Sequence, residues 1–294
     1  MQLFDLDLPH GIRLSCRAAG RADAPRKVVL LHGFPEAAFV WDPLMRALAG
    51  HARCVAPNLR GYERSSAPAE TEAYRPKHLV QDIDALIESL GGRIDVLVAH
   101  DWGGALAWNL AASRPQRLGA LVIVNSPHPG ALLRELRDNP AQQAASAYMN
   151  ALLAQGMAQR LVSNDFELMF ALLQRGREAR WLTATLRDHY RQVWSLGLQG
   201  PLNYYRASPL RPPQPGDDSL RRLELPASVV QVRVPTTVVW GLDDVALLPG
   251  LLDGLERWVS PLRVWRVAGA THWIVHEQPD LVANAIESAL AQAR

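Results

Sequence analysis

The sequence has few of the features that mark disulfide-rich, metal-binding or membrane-spanning proteins. Its 294 residues include only two cysteines, Cys16 and Cys54, which form no CxxC pair and no zinc-ligand spacing. No apolar run reaches the roughly 18 residues that a transmembrane helix needs. The N-terminus also lacks a basic segment followed by an apolar one. We therefore expect free thiols, no bound metal, and a cytoplasmic protein that does not insert into a membrane.

An excess of one charge is also missing, as are the common cofactor motifs. Thirty-one basic and 29 acidic residues give a net charge of +2, so nothing predicts binding to nucleic acid. There is no glycine-rich phosphate loop and no dinucleotide-binding fingerprint, which predicts that no cofactor is used. At 48% hydrophobic residues, the chain can bury one large core, either alone or with a smaller domain. Both a monomer and a homodimer are compatible with this composition.

Short apolar segments rich in β-branched residues recur along the chain and alternate with helical patterns. The predicted strands lie at 27–31, 53–56, 94–99, 118–124, 236–240 and 262–267. The predicted helices lie at 44–48, 79–90 and 105–112, with a last helix from about Asp280. Such alternation is typical of an α/β fold with a mostly parallel, doubly wound sheet.

The middle of the chain breaks this alternation. Residues 130–223 contain amphipathic helical patterns interrupted by Gly and Pro, and no convincing strand. We predict that they form an all-helical insertion, here called the cap segment. The core of the protein is then built from residues 1–129 and 224–294.

The stretch VLVAHDWGGA, residues 96–105, places a carboxylate where a predicted strand turns into a predicted helix. Ala99, two residues before Asp101, and Gly103, two residues after it, are small, as a tight strand-to-helix turn that presents a nucleophile requires. A helix N-terminus at this corner would keep the carboxylate ionised. The alternative is that Asp101 only caps the helix.

Two other segments favour the nucleophile interpretation. HGFP follows the first predicted buried strand, so the amides of Phe34 and Trp102 are expected to form an oxyanion hole. Downstream, GLDD and GATHW each end a predicted strand. They give the chain order nucleophile, acid and histidine of a hydrolase with this layout.

Together, HGFPE, AHDWGGALAW, WGLDD and GATHW resemble the α/β-hydrolase family, and specifically its epoxide hydrolase branch. The resemblance covers the chain from about Val28 to the last helix. It implies that Asp101 is the nucleophile, Asp244 the acid and His272 the base. Asp243 and His276 are the main competitors for the last two roles.

A nucleophilic carboxylate narrows the choice of substrate. Attack on an acyl carbon would give an unfavourable mixed anhydride, whereas attack on an epoxide or halide carbon gives an ordinary ester that activated water can hydrolyse. A halide leaves as a stable anion, but an alkoxide needs a proton donor such as a phenol. The cap segment is therefore expected to supply such donors.

Two tyrosines of the cap segment match this need. Tyr205 lies in LNYYR, which resembles the motif that carries the acid tyrosine of epoxide hydrolases, and Tyr148 lies at a spacing similar to the family's first cap tyrosine. The alternative is that both rings only fill the core of the cap. Four further residues are predicted to contact the substrate: His32, Pro35, Tyr204 and Trp273.

The sequence thus predicts an enzyme that hydrolyses a hydrophobic epoxide to a vicinal diol through an Asp101 ester. Two alternatives remain open at this point. One is a haloalkane or haloacetate dehalogenase with the same nucleophile, since the indole of Trp102 could meet a halide. The other is a non-catalytic receptor for a small ligand built on the same fold.

Overall fold

A computed structural model describes residues 1–175 and 177–293, which are organised around one eight-stranded sheet. The strands are β1 (Gln2–Asp7), β2 (Arg13–Ala19), β3 (Lys27–Leu31), β4 (Arg53–Pro57), β5 (Ile94–His100), β6 (Leu118–Val124), β7 (Thr236–Gly241) and β8 (Leu262–Val267). Their order across the sheet is β1-β2-β4-β3-β5-β6-β7-β8. Strand β2 runs antiparallel to both of its neighbours, and the remaining pairs are parallel.

The predicted α/β fold with a mostly parallel sheet is confirmed, but two strands were missed. The six predicted strands are β3 to β8, and the sheet is extended by the hairpin of β1 and β2. Strand β1 is at the edge, where Phe4 and Leu6 are half-buried while the residues between them are exposed. A strand with one face in solvent carries alternating polar residues, so a search for continuous apolar runs does not find it.

Alternate residues of the central strands face two separate apolar cores. Val96 and Val98 of β5 pack with the layer that contains helices α1 (Asp42–Leu48) and α13 (Pro279–Gln292). Leu97 and Ala99 pack with the layer of α2 (Pro76–Ser89) and α3 (Asp101–Ser113). Because a strand alternates its side chains between two faces, burial on both faces requires the continuous apolar runs seen in the sequence.

The segment between β6 and β7 is built from helices. They are α4 (Pro129–Asp138), α5 (Pro140–Ala145), α6 (Tyr148–Ala151), α7 (Met157–Leu173), α8 (Ala184–Trp194), α9 (Gln199–Ala207), α10 (Ser219–Arg222) and α11 (Ala227–Val230). Helix α7 is broken at 163–166, where Asn164, Asp165 and Phe166 have left-handed φ angles between 49° and 63°. A four-residue helix α12 (Ile274–Glu277) precedes α13. Within the described ranges, no helix combines the length and the apolar character that crossing a membrane requires.

Candidate active site

Asp101 occupies the turn between β5 and α3, at the carboxyl edge of the sheet. Its φ of 48° lies in the left-handed region, which non-glycine residues rarely adopt. Neighbouring glycines make this turn possible. A Cβ on Gly103 would lie 2.5 Å from the Leu31 carbonyl oxygen, and one on Gly104 would lie 2.3 Å from Ser126 Oγ. The strained turn therefore depends on both glycines, and it presents the carboxylate above the sheet.

The two carboxylate oxygens of Asp101 have different surroundings. The Phe34 amide, in the loop after β3, donates a 2.7 Å hydrogen bond to Oδ1. Trp102 is the second residue of α3, so its N–H belongs to the first turn, where amides lack an intrahelical acceptor. It remains the predicted second donor. Oδ2 lies 3.8 Å from His272 Nε2, so one oxygen is held by the backbone while the other faces the imidazole.

His272, in the loop after β8, is oriented by a buried carboxylate. Its Nδ1 lies 2.7 Å from Asp244 Oδ2. Asp244 also accepts hydrogen bonds from Asn125 Nδ2 at 2.8 Å and from the Ala246 and Leu247 amides at 2.8 and 2.9 Å. These bonds fix the carboxylate, and through it the plane of the imidazole.

The competitors for these two roles lie elsewhere. Asp243 is exposed, and its Oδ2 lies 3.8 Å from an Arg177 guanidinium nitrogen. His276 Nε2 lies 2.6 Å from Glu36 Oε1, and its ring stacks on Trp181 with centroids 4.1 Å apart. Neither competitor takes part in the Asp101, His272 and Asp244 arrangement.

Electrostatics in this arrangement favour a charged imidazole. Burial disfavours the imidazolium, but the carboxylates of Asp244 and Asp101 outweigh it and raise the pKa of His272 to about 9. Burial alone would raise the pKa of Asp244. The charge of His272 and the hydrogen bonds that the Asp244 carboxylate accepts outweigh burial and lower this pKa. The resting site at neutral pH therefore contains two carboxylates on either side of an imidazolium.

Tyr148 and Tyr205 line the same cavity as Asp101 and His272. Their ring centroids lie 6.2 Å apart, and Tyr205 also packs edge-on against Phe34 and Trp102 at 5.3 and 5.1 Å. Burial, reinforced by nearby charge, raises the pKa of both phenols, and a hydrogen bond with Tyr205 partly offsets this at Tyr148. Both phenols are therefore protonated at neutral pH and can donate protons.

The cavity has two chambers that meet at Asp101, Tyr148 and Tyr205. The first chamber is also lined by Phe34, Pro35, Leu172, Arg175, Asp244, Val245, Ala246, Thr271, His272 and Trp273. The wall of the second chamber is largely apolar. Its lining includes Trp102, Leu132, Met149, Leu210, Leu225, Val229 and Leu247. A largely apolar site with a few polar groups is typical of binding sites for small organic molecules.

Comparison with known proteins identifies the family. The model of the α/β-hydrolase fold family matches residues 27–279. Epoxide hydrolase 4 of Mus musculus is 32% identical over 94% of this chain and 76% of its own length. A Bacillus subtilis protein named AB hydrolase superfamily protein YfhM is 33% identical over 94% of both chains. The crystal structure of the Bacillus megaterium epoxide hydrolase with an inhibitor superimposes with a TM-score of 0.89, at 31% identity, over 98% of this chain and all of that one.

The chain belongs to the α/β-hydrolase family, as an epoxide hydrolase-like member. The resemblance inferred from the four motifs is thereby confirmed. The positions of the motifs in the hydrolase also explain why they are far apart in sequence, since each follows a different parallel strand. The carboxyl ends of those strands meet at one edge of the sheet.

Two of the residues predicted to contact the substrate line the cavity, and two are placed elsewhere. Pro35 and Trp273 line the first chamber. The Tyr204 hydroxyl donates to the Arg60 carbonyl at 2.9 Å, away from the cavity. His32 Nε2 accepts from the Leu59 amide at 3.0 Å, and its Nδ1 lies 3.0 Å from the Gly33 carbonyl. The side chains of Tyr204 and His32 thus make hydrogen bonds to backbone groups next to the site.

His128 is buried at the start of α4. Its Nδ1 accepts from the Gly130 amide at 3.1 Å, and its Nε2 lies 2.9 Å from the Val230 carbonyl. The ring stacks on Trp258. Burial lowers the pKa of His128 to about 4, so the ring is neutral and caps a helix.

A buried polar cluster behind the site was missed by the sequence analysis. Glu36, the last residue of HGFPE, contacts His276 Nε2 at 2.6 Å, the Tyr190 hydroxyl at 2.9 Å and His100 Nδ1 at 3.2 Å. His100 Nε2 in turn lies 3.0 Å from the His272 carbonyl. Burial opposes a charge on Glu36, but the two histidines hold its pKa well below the usual range. In the sequence, this cluster is marked only by a carboxylate that directly follows the HGFP motif.

Proposed function

We propose that this hydrolase opens epoxides to vicinal diols through a covalent Asp101 ester. One observation carries the proposal: a single cavity places the Asp101 carboxylate together with the phenols of Tyr148 and Tyr205. A carboxylate attacks a saturated carbon, and phenols are the donors that a departing alkoxide needs. The names of the mouse and Bacillus megaterium relatives agree with this chemistry.

In the first step, Asp101 Oδ2 attacks one epoxide carbon, and the bond from that same carbon to the ring oxygen breaks on the opposite face. The ring oxygen takes a proton from Tyr205 or Tyr148, which leaves a hydroxy-ester and one tyrosinate. Oδ1 carries the ester's carbonyl character, and the Phe34 amide already donates to it. Tyr205 is assigned as the principal acid, because its LNYYR segment resembles the motif that carries the acid tyrosine of epoxide hydrolases.

In the second step, His272 activates water, and loss of the Asp101 charge makes this possible. The Asp101 carboxylate is one of the groups that raise the pKa of His272, so esterification lowers that pKa. The imidazolium can then return its proton to the tyrosinate and become a neutral base. Water loses a proton to His272 and attacks the ester carbonyl carbon, and the diol leaves with a proton. The Asp101 carboxylate and the imidazolium are then restored.

A single turnover of styrene oxide in ¹⁸O-labelled water tests this route. The label is expected in the Asp101 carboxyl group, read by peptide mass spectrometry, while the diol of that first turnover remains unlabelled. His272→Gln is expected to accumulate the ester, seen as a mass increase equal to one substrate. Label appearing in the diol during the first turnover would show direct attack by water and would refute the ester.

The same preparation separates the alternatives. Halide release from matched haloalkanes that exceeds diol formation would identify a dehalogenase. Tight binding without turnover across varied epoxides would identify a receptor. Tyr148→Phe combined with Tyr205→Phe is expected to abolish diol formation, whereas halide release would persist because halide needs no proton.

A further inference from the structure

The first chamber contains a cation that the proposed ester chemistry does not use. Arg175 follows α7 and lines this chamber with Asp101, Tyr148 and His272. Its guanidinium carbon lies 5.3 Å from the centroid of the Tyr148 ring, over the face of the ring. The cation thus lies directly against Tyr148, one of the two proposed proton donors.

The guanidinium of Arg175 has few partners in the protein. Its Nη2 donates to the Ala145 carbonyl at 3.2 Å. Across residues 1–175 and 177–293, the ion pairs within 4.0 Å do not include Arg175. A guanidinium carries five N–H donors in a planar fork, so most of its donors remain available to a bound molecule.

The other walls indicate what kind of molecule this would be. The lining of the first chamber includes the apolar side chains of Leu172, Val245 and Trp273. The second chamber, on the other side of Asp101, is largely apolar as well. An elongated ligand spanning both chambers would therefore meet apolar surface along its length and a positive charge at one end.

The net charge of the site allows a ligand with an anionic end to bind, although Asp101 and Asp244 are also negatively charged. Asp101 and Asp244 with a protonated His272 have one net negative charge, which the Arg175 charge offsets. A ligand carboxylate would bind at the guanidinium, which lies over the face of the Tyr148 ring. It would be held bidentately, the geometry in which Arg recognises carboxylates.

We propose that Arg175 is a specificity residue that binds a carboxylate on the substrate, so that the preferred substrates are epoxy acids with an apolar body. This inference rests on the proposed epoxide hydrolysis.

The test compares para-carboxystyrene oxide with its methyl ester, measuring kcat/KM for wild type, Arg175→Met, Arg175→Lys and Arg180→Met. Wild type is expected to favour the acid over the ester. Arg175→Met should lower the acid-to-ester ratio by about 10- to 100-fold, as loss of a charge-assisted hydrogen bond predicts. Arg175→Lys should restore part of the ratio, because it keeps the charge without the fork.

Arg180→Met is the matched control. Arg180 lies on the same segment with a 90% exposed side chain and does not line the chamber, so this variant also loses one positive charge. It is expected to keep the wild-type ratio. An unchanged ratio in Arg175→Met, including an equal loss for both substrates, would overturn the proposal, as would an Arg180→Met ratio that falls equally.

A binding measurement separates this inference from the proposed function. Calorimetry with the carboxylate diol and its methyl ester, on wild type and Arg175→Met, needs no turnover. Absence of turnover on every epoxide would refute the hydrolysis, while selective loss of carboxylate-diol binding in Arg175→Met would still support the anchor. Equal binding of the carboxylate diol by both proteins would refute the anchor even in an active enzyme.

Discussion

Asp244 and Tyr205 are both buried, yet the sheet and the cap segment hold them by different means. Asp244 is fixed by directional hydrogen bonds from the Asn125 side chain, two backbone amides and His272. Tyr205 is positioned mainly by rings, with Phe34 and Trp102 packed edge-on against it. Hydrogen bonds fix the angle of a charged group, whereas ring packing fixes position and excludes water.

This difference separates two tasks. Under the proposed mechanism, the loops at the end of the sheet hold the nucleophile, the imidazole and its partner carboxylate, which must stay aligned through both chemical steps. The cap segment would hold neutral donors whose protons are needed when the epoxide oxygen departs. Substitutions in the sheet loops should therefore stop the reaction, and substitutions in the cap segment should slow it by graded amounts.

The largest expected effect is that of Asp244→Asn, which leaves the imidazole without its anionic partner. We expect kcat to fall by about 10³-fold or more, because the tautomer and orientation of His272 are lost. Stopped-flow measurement with quenched mass analysis should find the ester accumulating. Asp243→Asn is the control, since that carboxylate is exposed, and its kcat should match wild type. Equal losses in both variants would contradict the assignment of Asp244.

A smaller effect is expected in the cap segment, where two adjacent tyrosines provide a matched pair. Tyr205→Phe should lower kcat by about 10²-fold, as loss of a general acid predicts, while Tyr148 continues to donate. Tyr204→Phe should change kcat little but lower the free energy of unfolding by about 1 to 3 kcal/mol, because the buried Arg60 carbonyl loses its donor. Kinetics and urea denaturation measure the two effects. The reverse pattern would restore Tyr204 as a substrate-contacting residue.

The smallest effect concerns the pH dependence of stability. The folded-state pKa of His272, about 9, lies above its unfolded value near 6.5, so its stabilising contribution is fully present below 6.5 and is lost as the pH rises through 9. The pKa values of His32 and His128 are lowered to about 4, so their effect on the free energy of unfolding lies below pH 6.5, where they destabilise the protein as the pH decreases.

Urea denaturation at several pH values between 6.5 and 9 measures this change. His272→Gln should flatten the profile, because glutamine does not titrate. A wild-type profile as flat as that of the variant would show that the imidazolium is not stabilised in the resting site.

The sheet and its loops could be predicted further than the cap segment could, for a physical reason. Strands buried on both faces need continuous apolar runs, and a strained turn needs glycines, so β5 and Asp101 leave marks in the local sequence. Edge strand β1 shows only a weak alternation, and it was missed.

The remaining contacts depend on tertiary structure. Nothing near Glu36 in sequence indicates that Tyr190 and His276 reach it, 154 and 240 residues away. Similarly, adjacent tyrosines on one helix look alike in sequence. Only the packing of α9 shows that Tyr204 faces Arg60 while Tyr205 faces Asp101.

The cap segment enters the chain at a single point, between β6 and β7. Under the proposed mechanism, Asp101, His272 and Asp244 lie outside it, whereas the phenols and Arg175 lie within one uninterrupted stretch. Exchange of that stretch for a different one would replace the proton donors and change which molecules are admitted, while the Asp101, His272 and Asp244 arrangement stays in place. A protein arranged in this way can change its substrate specificity by replacing one continuous segment, while it keeps its nucleophile and the groups that align it.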